Sequence, residues 1–325
     1  MTRSRARTSG CNRRMAWRTS IWISGEKTPI SRQIPRSFHH PPLRNPSMNR
    51  REDDSTAPEL ELAVVGLGNM GGAVLKAVLA ASIIPADRIG VCDALEDRVA
   101  GFAEAGCRPI DPAAAGESTR ILLAVKPQVL PKIADSIGPG VGPRLAISVM
   151  AGLRSQQILA NLGGDTRIVR TMPNTPAAIG AGVTAIAPGH GATEEDLAFA
   201  RMIFNAVGTT IDVDESHMHA VTAVSGSGPA WVFRTAEAWI AAAIKQGLPP
   251  ATAETLVIET MFGASKLLRE SEHDASTLRE AVTSKGGTTA AGLAAMDEKG
   301  FDDSIHAAIQ AAVERGRELD ATDES

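Results

Sequence analysis

The feature that most restricts the fold is a glycine-rich run between a strand pattern and a helix pattern, formed by Gly66, Leu67, Gly68, Asn69, Met70 and Gly71. In this context Gly66 permits a tight turn, Gly68 lets the backbone approach a pyrophosphate, and Gly71 lets the helix pack close to the strand. The start of the helix offers N–H groups and a positive dipole end to phosphate. We interpret the run as a dinucleotide-binding turn; the alternative is a glycine-rich turn that binds no ligand.

Around this turn, short apolar runs alternate with helical stretches. The strand-like runs are residues 60–65, 88–92, 121–125, 145–149, 168–171, 182–187 and 209–213. The helical stretches between them are 70–81, 95–105, 129–137, 155–162 and 194–206. This alternation predicts βαβ units and a parallel sheet covered by helices on both faces. After Ser216 the pattern is helical throughout, at 229–246, 250–269, 276–282, 288–298 and 302–320.

The predicted fold class is therefore α/β plus all-α. We expect a Rossmann-type, doubly wound parallel sheet in residues 59–215 and an all-helical domain in residues 216–325, which fits about two domains for a chain of this length. The stretch 229–246 is apolar on most sides, which predicts burial against a second subunit as well as its own chain. The helical domain is accordingly predicted to be a dimerisation domain.

The charge of the chain is unevenly distributed. Residues 1–47 carry nine Arg and one Lys against a single acid, Glu26, a net charge of +9, so the total of −4 leaves −13 for the rest. An acidic body gives no electrostatic footprint for nucleic acid. We expect a cytoplasmic protein that binds no membrane, since no apolar run approaches the roughly 20 residues of a span. Residues 1–58 are predicted to be a disordered or artefactual extension, with translation starting at Met48; a transit peptide is the alternative.

Two further positions follow predicted strands, where ligands of open α/β sheets bind. Asp93 ends the second strand, where an acid accepts hydrogen bonds from the adenosine ribose and repels a 2′-phosphate, so it favours NADH over NADPH. Arg98 is expected on the next helix, facing water. The second position is the run Ala124, Val125, Lys126 and Pro127, in which Lys126 is predicted to point toward the cofactor unless it is a solvated lysine at a helix start.

The sequence predicts neither a disulfide framework nor a metal site. The three cysteines, Cys11, Cys92 and Cys107, form no CxxC pair and no even framework, so we expect reduced thiols. None of the histidines pairs with Cys or carboxylates at ligand spacing, so no metal site is predicted.

Four segments in the same order resemble pyrroline-5-carboxylate reductases. Residues 124–127 read AVKP, 172–176 read MPNTP, 222–230 read TAVSGSGPA, and 278–297 read LREAVTSKGGTTAAGLAAMD. The similarity runs from about residue 62 to 319. Three positions depart from the family pattern: His219 replaces a usual Asp, Trp231 a usual Tyr, and Lys285 a Pro that many members carry.

The resemblance implies an NADPH- or NADH-dependent reductase that acts on a C=N bond and converts 1-pyrroline-5-carboxylate to L-proline. It implies that the carboxylate of this cyclic imine lies on the N–H groups of Gly286, Gly287 and Thr288, aided by Ser284 and Lys285. Thr289, the candidate catalytic residue, then faces the ring nitrogen with its hydroxyl. It also implies a homodimer, or a ring of dimers, in which this loop reaches the partner's nicotinamide. On spacing alone, a plain helix cap is the alternative for the loop.

Two other functions remain open. A 3-hydroxyacid dehydrogenase of the 6-phosphogluconate or 3-hydroxyisobutyrate type shares the glycine-rich turn, but it uses a lysine in a GxxGxxxK pattern, and residues 180–250 contain no such run. A catalytically silent dinucleotide-binding protein would be expected to have a broken substrate loop, and residues 284–289 are intact apart from Lys285.

Overall fold

The computed structural model describes residues 59–321, so the predictions for residues 1–58 and 322–325 lie outside the described residues. Its eight strands are β1 Leu62–Val65, β2 Ile89–Cys92, β3 Arg108–Pro109, β4 Arg120–Leu123, β5 Arg144–Ser148, β6 Thr166–Met172, β7 Gly182–Pro188 and β8 Gly208–Asp212. The helices α1–α6 are Asn69–Ala80, Glu96–Glu104, Pro112–Gly116, Leu130–Ile137, Ser155–Leu162 and Glu194–Phe204. The helices α7–α12 are Met218–Val221, Gly228–Lys245, Pro250–Glu270, Ala275–Ala281, Thr288–Glu298 and Phe301–Ala321.

The strands form one sheet in the order β3-β2-β1-β4-β5-β6-β7-β8, and β1 to β6 are parallel. The order reverses between β1 and β4. This reversal is the switch point of a doubly wound sheet, and ligands of such sheets bind in the crevice beyond the strand ends there. The predicted Rossmann-type fold followed by helices is confirmed, and the predicted elements begin and end within two residues of those observed.

The last two strands differ from the prediction of a parallel sheet. β7 is antiparallel to β6, and β8 is parallel to β7, so both run against the rest of the sheet. The reason is the length of the connection, because residues 173–181 are fewer than the dozen or so that a parallel crossover needs. The short strand β3 and the short helices α3 and α7 were also not predicted.

Both faces of the sheet are buried, as the apolar strands predict. Along β1, Leu62 and Val64 enter a core formed with α1 and α6, whereas Ala63 and Val65 enter a second core formed with α4 and α5. Alternate residues of a strand point to opposite faces. A four-residue strand that is apolar at every position therefore has helices on both sides, which holds its carboxyl end rigid beneath the glycine-rich turn.

A buried arginine lies at the amino ends of the parallel strands, opposite the glycine-rich turn. Arg144, 1% exposed, begins β5 and donates from Nη1 to the carbonyl of Gly116 at 3.3 Å and from Nη2 to those of Gly138 and Leu162, each at 3.0 Å. Its Nε donates to Oγ1 of Thr166 at 3.0 Å. The three carbonyls belong to the C-terminal ends of α3, α4 and α5, where the helix dipoles are negative. These helix ends take the place of a carboxylate partner.

Residues 62–212 form the sheet region, and residues 218–321 form the helical region. In the helical region, one turn of π-helix, Thr222–Gly226, links α7 to α8. No residue of α8 is buried within the single chain, and its apolar side chains Phe233 and Trp239 are 62% and 45% exposed. None of the helices between residues 59 and 321 is long and apolar enough to cross a bilayer.

Candidate dinucleotide and substrate site

The glycine-rich turn leaves the first helix open to an anion. The N-cap of α1 is Gly68, no side chain caps it, and its first turn contains no acidic residue. Gly66 has φ +98°, and a Cβ there would lie 2.5 Å from the carbonyl oxygen of Ala124. A Cβ at Gly71 would overlap the carbonyl oxygen of Gly66. The turn therefore has the open amides, the dipole and the backbone clearance that a dinucleotide pyrophosphate requires.

The AVKP run forms the wall beside this turn. The N–H of Ala124 donates to the carbonyl of Val65 at 2.8 Å, and the side chain of Val125 lies 3.1 Å from the place of a Cβ at Gly66. Pro127 begins a turn of 3₁₀-helix, and Lys126 before it is exposed. The structure thus brings the two predicted segments together at the switch point, and Lys126 stays a prediction as a cofactor contact.

Asp93 anchors the glycine-rich turn. Its Oδ2 accepts the N–H of Leu67 at 2.6 Å, its Oδ1 accepts the N–H of Leu95 at 2.9 Å, and its side chain is 8% exposed. Burial acts to raise the pKa of Asp93, but these two hydrogen bonds and the charge of Arg98 outweigh it, so the pKa lies below its ordinary value. Asp93 is therefore ionised at neutral pH and holds Leu67 in place.

Arg98 is exposed, as expected, and it also pairs with Asp93. Arg98 lies on α2 as predicted, but its Nη1 is 3.4 Å from Oδ2 of Asp93 and 3.8 Å from the place of a Cβ at Gly68. The side chain is 45% exposed. A carboxylate at the end of β2 attracts the guanidinium across one turn of helix. The cation consequently lies at the rim of the dinucleotide cavity and offsets part of the charge of Asp93.

Two cavities are each lined in part by the turn that follows β6. The dinucleotide cavity, about 660 Å³, lies over Gly68, Asn69 and Arg98 and is also bordered by Ala178. The second cavity, about 530 Å³, is mostly apolar. It is lined by Asn174, Pro176, Val183, Val224, Ser225, Gly228, Pro229, Trp231, Val232 and Phe233. Asn174, Pro176 and Ala178 belong to one short segment, so this segment is a wall common to both cavities.

Asn174 joins the two regions of the chain. Its Oδ1 accepts the N–H of Val183 at 3.0 Å, and its Nδ2 donates to the carbonyl of Ser225 at 3.2 Å, in the π-helical turn. Trp231 donates from Nε1 to the carbonyl of Ala223 in the same turn at 3.4 Å. π-Helical turns occur often at functional sites. Asn174, Ala223 and Ser225 lie in two of the segments that resemble the family, so the resemblance is the signal that could have identified them as candidate site residues.

The substrate loop lies apart from both cavities within one chain. Five residues of the loop are exposed, and none of them lines either cavity: Ser284, Lys285, Gly286, Thr288 and Thr289. Gly287 is the N-cap of α11, without a side-chain cap, and the first turn of α11 has no acidic residue.

The hydroxyls of this loop therefore do not cap α11. The alternative that the loop serves only as a side-chain cap of the helix is not supported. The N–H of Gly287 already donates to the carbonyl of Ser284 at 3.0 Å. Of the three amides predicted to bind a carboxylate, those of Gly286 and Thr288 are left.

The two described cysteines do not offer a nucleophile. Cys92 and Cys107 are free and buried. Burial raises the pKa of both thiols, and for Cys92 the charges of Asp93 and Asp111 add to the effect. Both thiols are therefore protonated at neutral pH. Within residues 59–321, no cluster of three His, Cys, Asp or Glu side chains could hold a metal ion.

Comparison with known proteins identifies the family. Residues 215–319 match the family model for pyrroline-5-carboxylate reductase dimerisation, and residues 61–152 match that for coenzyme F420-dependent NADP oxidoreductases. The pyrroline-5-carboxylate reductase of Synechocystis is 39% identical over 80% of this chain and 98% of its own.

Among solved structures, the enzyme of Coxiella burnetii has a TM-score of 0.75 and 32% identity over 81% of this chain and 99% of its own. That of Plasmodium falciparum, with NADP bound, has a TM-score of 0.72 and 27% identity over 80% of this chain and 98% of its own. Neither the 3-hydroxyacid dehydrogenase nor the silent binding protein is favoured by these matches. The chain belongs to the pyrroline-5-carboxylate reductase family.

Proposed function

We propose that this protein reduces 1-pyrroline-5-carboxylate to L-proline with NADH or NADPH, the last step of proline biosynthesis, in the cytoplasm. One observation carries the proposal beyond the family match. Both α1 and α11 begin at a glycine N-cap with no capping side chain and no acid in the first turn. One such end suits the dinucleotide pyrophosphate, and the other suits a substrate carboxylate.

The residues of the loop bind and orient the imine. The N–H groups of Gly286 and Thr288 receive the carboxylate, with Ser284 and Lys285 beside it. The hydroxyl of Thr289, which can donate or accept, faces the ring nitrogen. A reduced nicotinamide supplies the hydride, and the task of the protein is to set distance and orientation, which is worth roughly 7–11 kcal/mol for well-placed reactants.

The site is proposed to be shared between two subunits. The substrate loop lies apart from the cavities of its own chain, and α8 exposes Phe233 and Trp239. Large apolar side chains that a single chain leaves exposed favour an interface. A homodimer, or a ring of dimers, would bring the loop of one subunit to the second cavity of its partner, between Asn174 and Trp231.

The direct test is steady-state reduction of 1-pyrroline-5-carboxylate with NADH and NADPH in parallel. We expect turnover with both, and a higher kcat/KM with NADH because the charge of Asp93 disfavours a 2′-phosphate. A kcat/KM that is at least about tenfold higher with NADPH would overturn this role of Asp93 and assign the 2′-phosphate to Arg98. No turnover with either cofactor would overturn the proposed function.

Replacing Thr289 with alanine is expected to lower kcat without abolishing it. One hydrogen bond to the ring nitrogen contributes about 1–3 kcal/mol, so turnover should fall roughly tenfold to a few hundredfold. Thr283→Ala is the matched control, because the hydroxyl of Thr283 donates to the carbonyl of Arg279 at 2.6 Å on the other side of the loop. Unchanged kinetics in Thr289→Ala would exclude Thr289 from the site.

A further inference from the structure

A buried carboxylate ties the last helix to the sheet region. Oδ2 of Asp320, in the last turn of α12, accepts Nε of Arg154 at 2.6 Å and lies 3.2 Å from Nε2 of His219. Gln157 donates from Nε2 to the backbone carbonyl of Asp320 at 3.0 Å. The side chain of Asp320 is 1% exposed. Arg154 and Gln157 lie at the start of α5, whereas His219 lies on α7, so three distant parts of the chain meet at one carboxylate.

A glycine one turn earlier allows this close approach. A Cβ at Gly316 would lie only 3.0 Å from Nδ1 of His219, which is tighter than ordinary van der Waals contact. The imidazole therefore lies against the backbone of α12 with one nitrogen at Gly316 and the other at Asp320. α12 and α7 are held at a fixed separation by this ring.

The same junction contains buried polar atoms that are not satisfied. Oδ1 of Asp320 and Nε of Arg170 have no hydrogen-bond partner among the described residues. Nη1 of Arg170 is 3.3 Å from Oε1 of Glu215, and Glu215 also accepts the N–H and the hydroxyl of Ser155, at 2.6 Å and 2.7 Å. An apolar contact would hold two helices together without burying unsatisfied charge. Leaving these buried atoms without partners lowers the stability of the fold. The junction therefore points to a need to place α7 and α12 exactly, and not only to stabilise the fold.

The junction is linked to the second cavity through α7. One wall of that cavity, with Asn174 and Val183, belongs to the sheet region. The other wall, with Val224 and Ser225, belongs to the π-helical turn that directly continues α7, three residues after His219. The contacts of Asp320 with Arg154 and His219 therefore connect the elements that carry the two walls, in addition to the hydrogen bond from Asn174 to Ser225.

We propose that Asp320, with Arg154 and His219, is a positioning latch that fixes the width of the substrate cavity for imine reduction. These residues act through the π-helical turn and do not touch substrate. The inference rests on the proposed function, since it assigns the second cavity to the imine. Dinucleotide binding, which depends on the turn between β1 and α1, is expected to be independent of the latch.

The test compares Asp320→Asn, His219→Ala and the double variant in the full-length protein. In Asp320→Asn, the KM for 1-pyrroline-5-carboxylate should rise about tenfold, the size of a lost hydrogen bond to a charged group, while the Kd for NADH stays within about twofold. The double variant should be no worse than Asp320→Asn, because both changes break the same contact. Glu318→Gln is the matched control, since Glu318 forms an exposed pair with Arg315 on the same helix.

Three outcomes would count against the latch. An unchanged KM in Asp320→Asn overturns it, and so does a parallel loss of NADH affinity and melting temperature without a rise in KM, which marks a purely structural role. If Asp320→Asn does not fold, His219→Ala carries the test, and an unchanged KM there overturns the latch. A wild-type protein that does not reduce the imine would instead overturn the proposed function, and the latch as a catalytic device with it.

Discussion

Replacing Gly68 with aspartate should weaken dinucleotide binding strongly while leaving the protein folded. Gly68 has extended backbone, with φ −68° and ψ −164°, and the nearest neighbour of an added Cβ is Nη1 of Arg98 at 3.8 Å. Aspartate is a favoured N-cap and suits the helix dipole, so α1 should be as stable as before. Its carboxylate would lie where the pyrophosphate binds. Two like charges about 4 Å apart cost about 4 kcal/mol, so the Kd for NADH should rise at least ~100-fold.

The matched control for this change is Gly68→Ser, which adds a neutral N-cap of similar shape. Its Kd for NADH, measured by nucleotide fluorescence, should lie between those of the wild type and Gly68→Asp. The melting temperatures of all three proteins should agree. Equal NADH affinity in Gly68→Asp and wild type would show that phosphate does not bind at the start of α1.

The same variant tests whether the site is shared. Mixing Gly68→Asp chains with Thr289→Ala chains creates mixed dimers in which one intact dinucleotide turn faces one intact substrate loop from the partner. Random pairing makes about half of the dimers mixed, each with one working site of two, so about a quarter of the wild-type activity should return. No recovery after subunit exchange would mean that each site uses its own chain's loop.

Replacing Arg144 with methionine should cause the largest loss of stability among the changes considered. Methionine keeps much of the volume but leaves the carbonyls of Gly116, Gly138 and Leu162 and the hydroxyl of Thr166 without their donor. Each buried group that loses its hydrogen-bond donor costs about 1–3 kcal/mol, and this sets the least loss expected. Urea denaturation should show a free energy of unfolding lower by at least that amount.

Arg201→Met is the control for this prediction. We expect it to lower the free energy of unfolding less than Arg144→Met does, although Arg201 is the arginine that has carboxylate partners. Arg201 has two carboxylate partners, Glu194 at 2.6 Å and Asp212 at 3.0 Å, whereas the partners of Arg144 are uncharged. The pairs of Arg201 are near the surface, where ion pairs contribute about 0–1 kcal/mol. A larger loss in Arg201→Met than in Arg144→Met would contradict the role given to the three helix ends.

Local signals account for what the sequence predicted well. The predicted bounds of the helices 155–162 and 288–298 coincide with the observed ones, and a glycine pair stands directly before the second helix. The meeting of Gly66 and Gly71 with Ala124 also followed from sequence, because parallel strands end at one edge of a sheet. These predictions needed only neighbouring residues and a general rule of topology.

The errors concern contacts between distant residues or the direction of strands. Periodicity describes which residues of β7 are buried, but it contains nothing about the direction in which the strand runs. The pairing of Arg98 with Asp93 was not predicted, because it depends on the turn of α2. Arg154 and Asp320 are 166 positions apart, and Arg144 finds its partners at three separate helix ends. Such pairs become visible only when the fold is known.

The hydrogen bonds of Asp93 have a consequence for how the protein responds to acidification. Peptide carbonyls accept no proton in the physiological range, so the contacts that gather α3, α4 and α5 around Arg144 persist as acidity increases. Burial acts to raise the pKa of Asp93, but the N–H groups of Leu67 and Leu95 and the charge of Arg98 hold it below its ordinary value, so the stability that this carboxylate contributes is lost only as the pH falls through that lowered pKa. Acid should therefore loosen the glycine-rich turn while the helix ends around Arg144 stay in place.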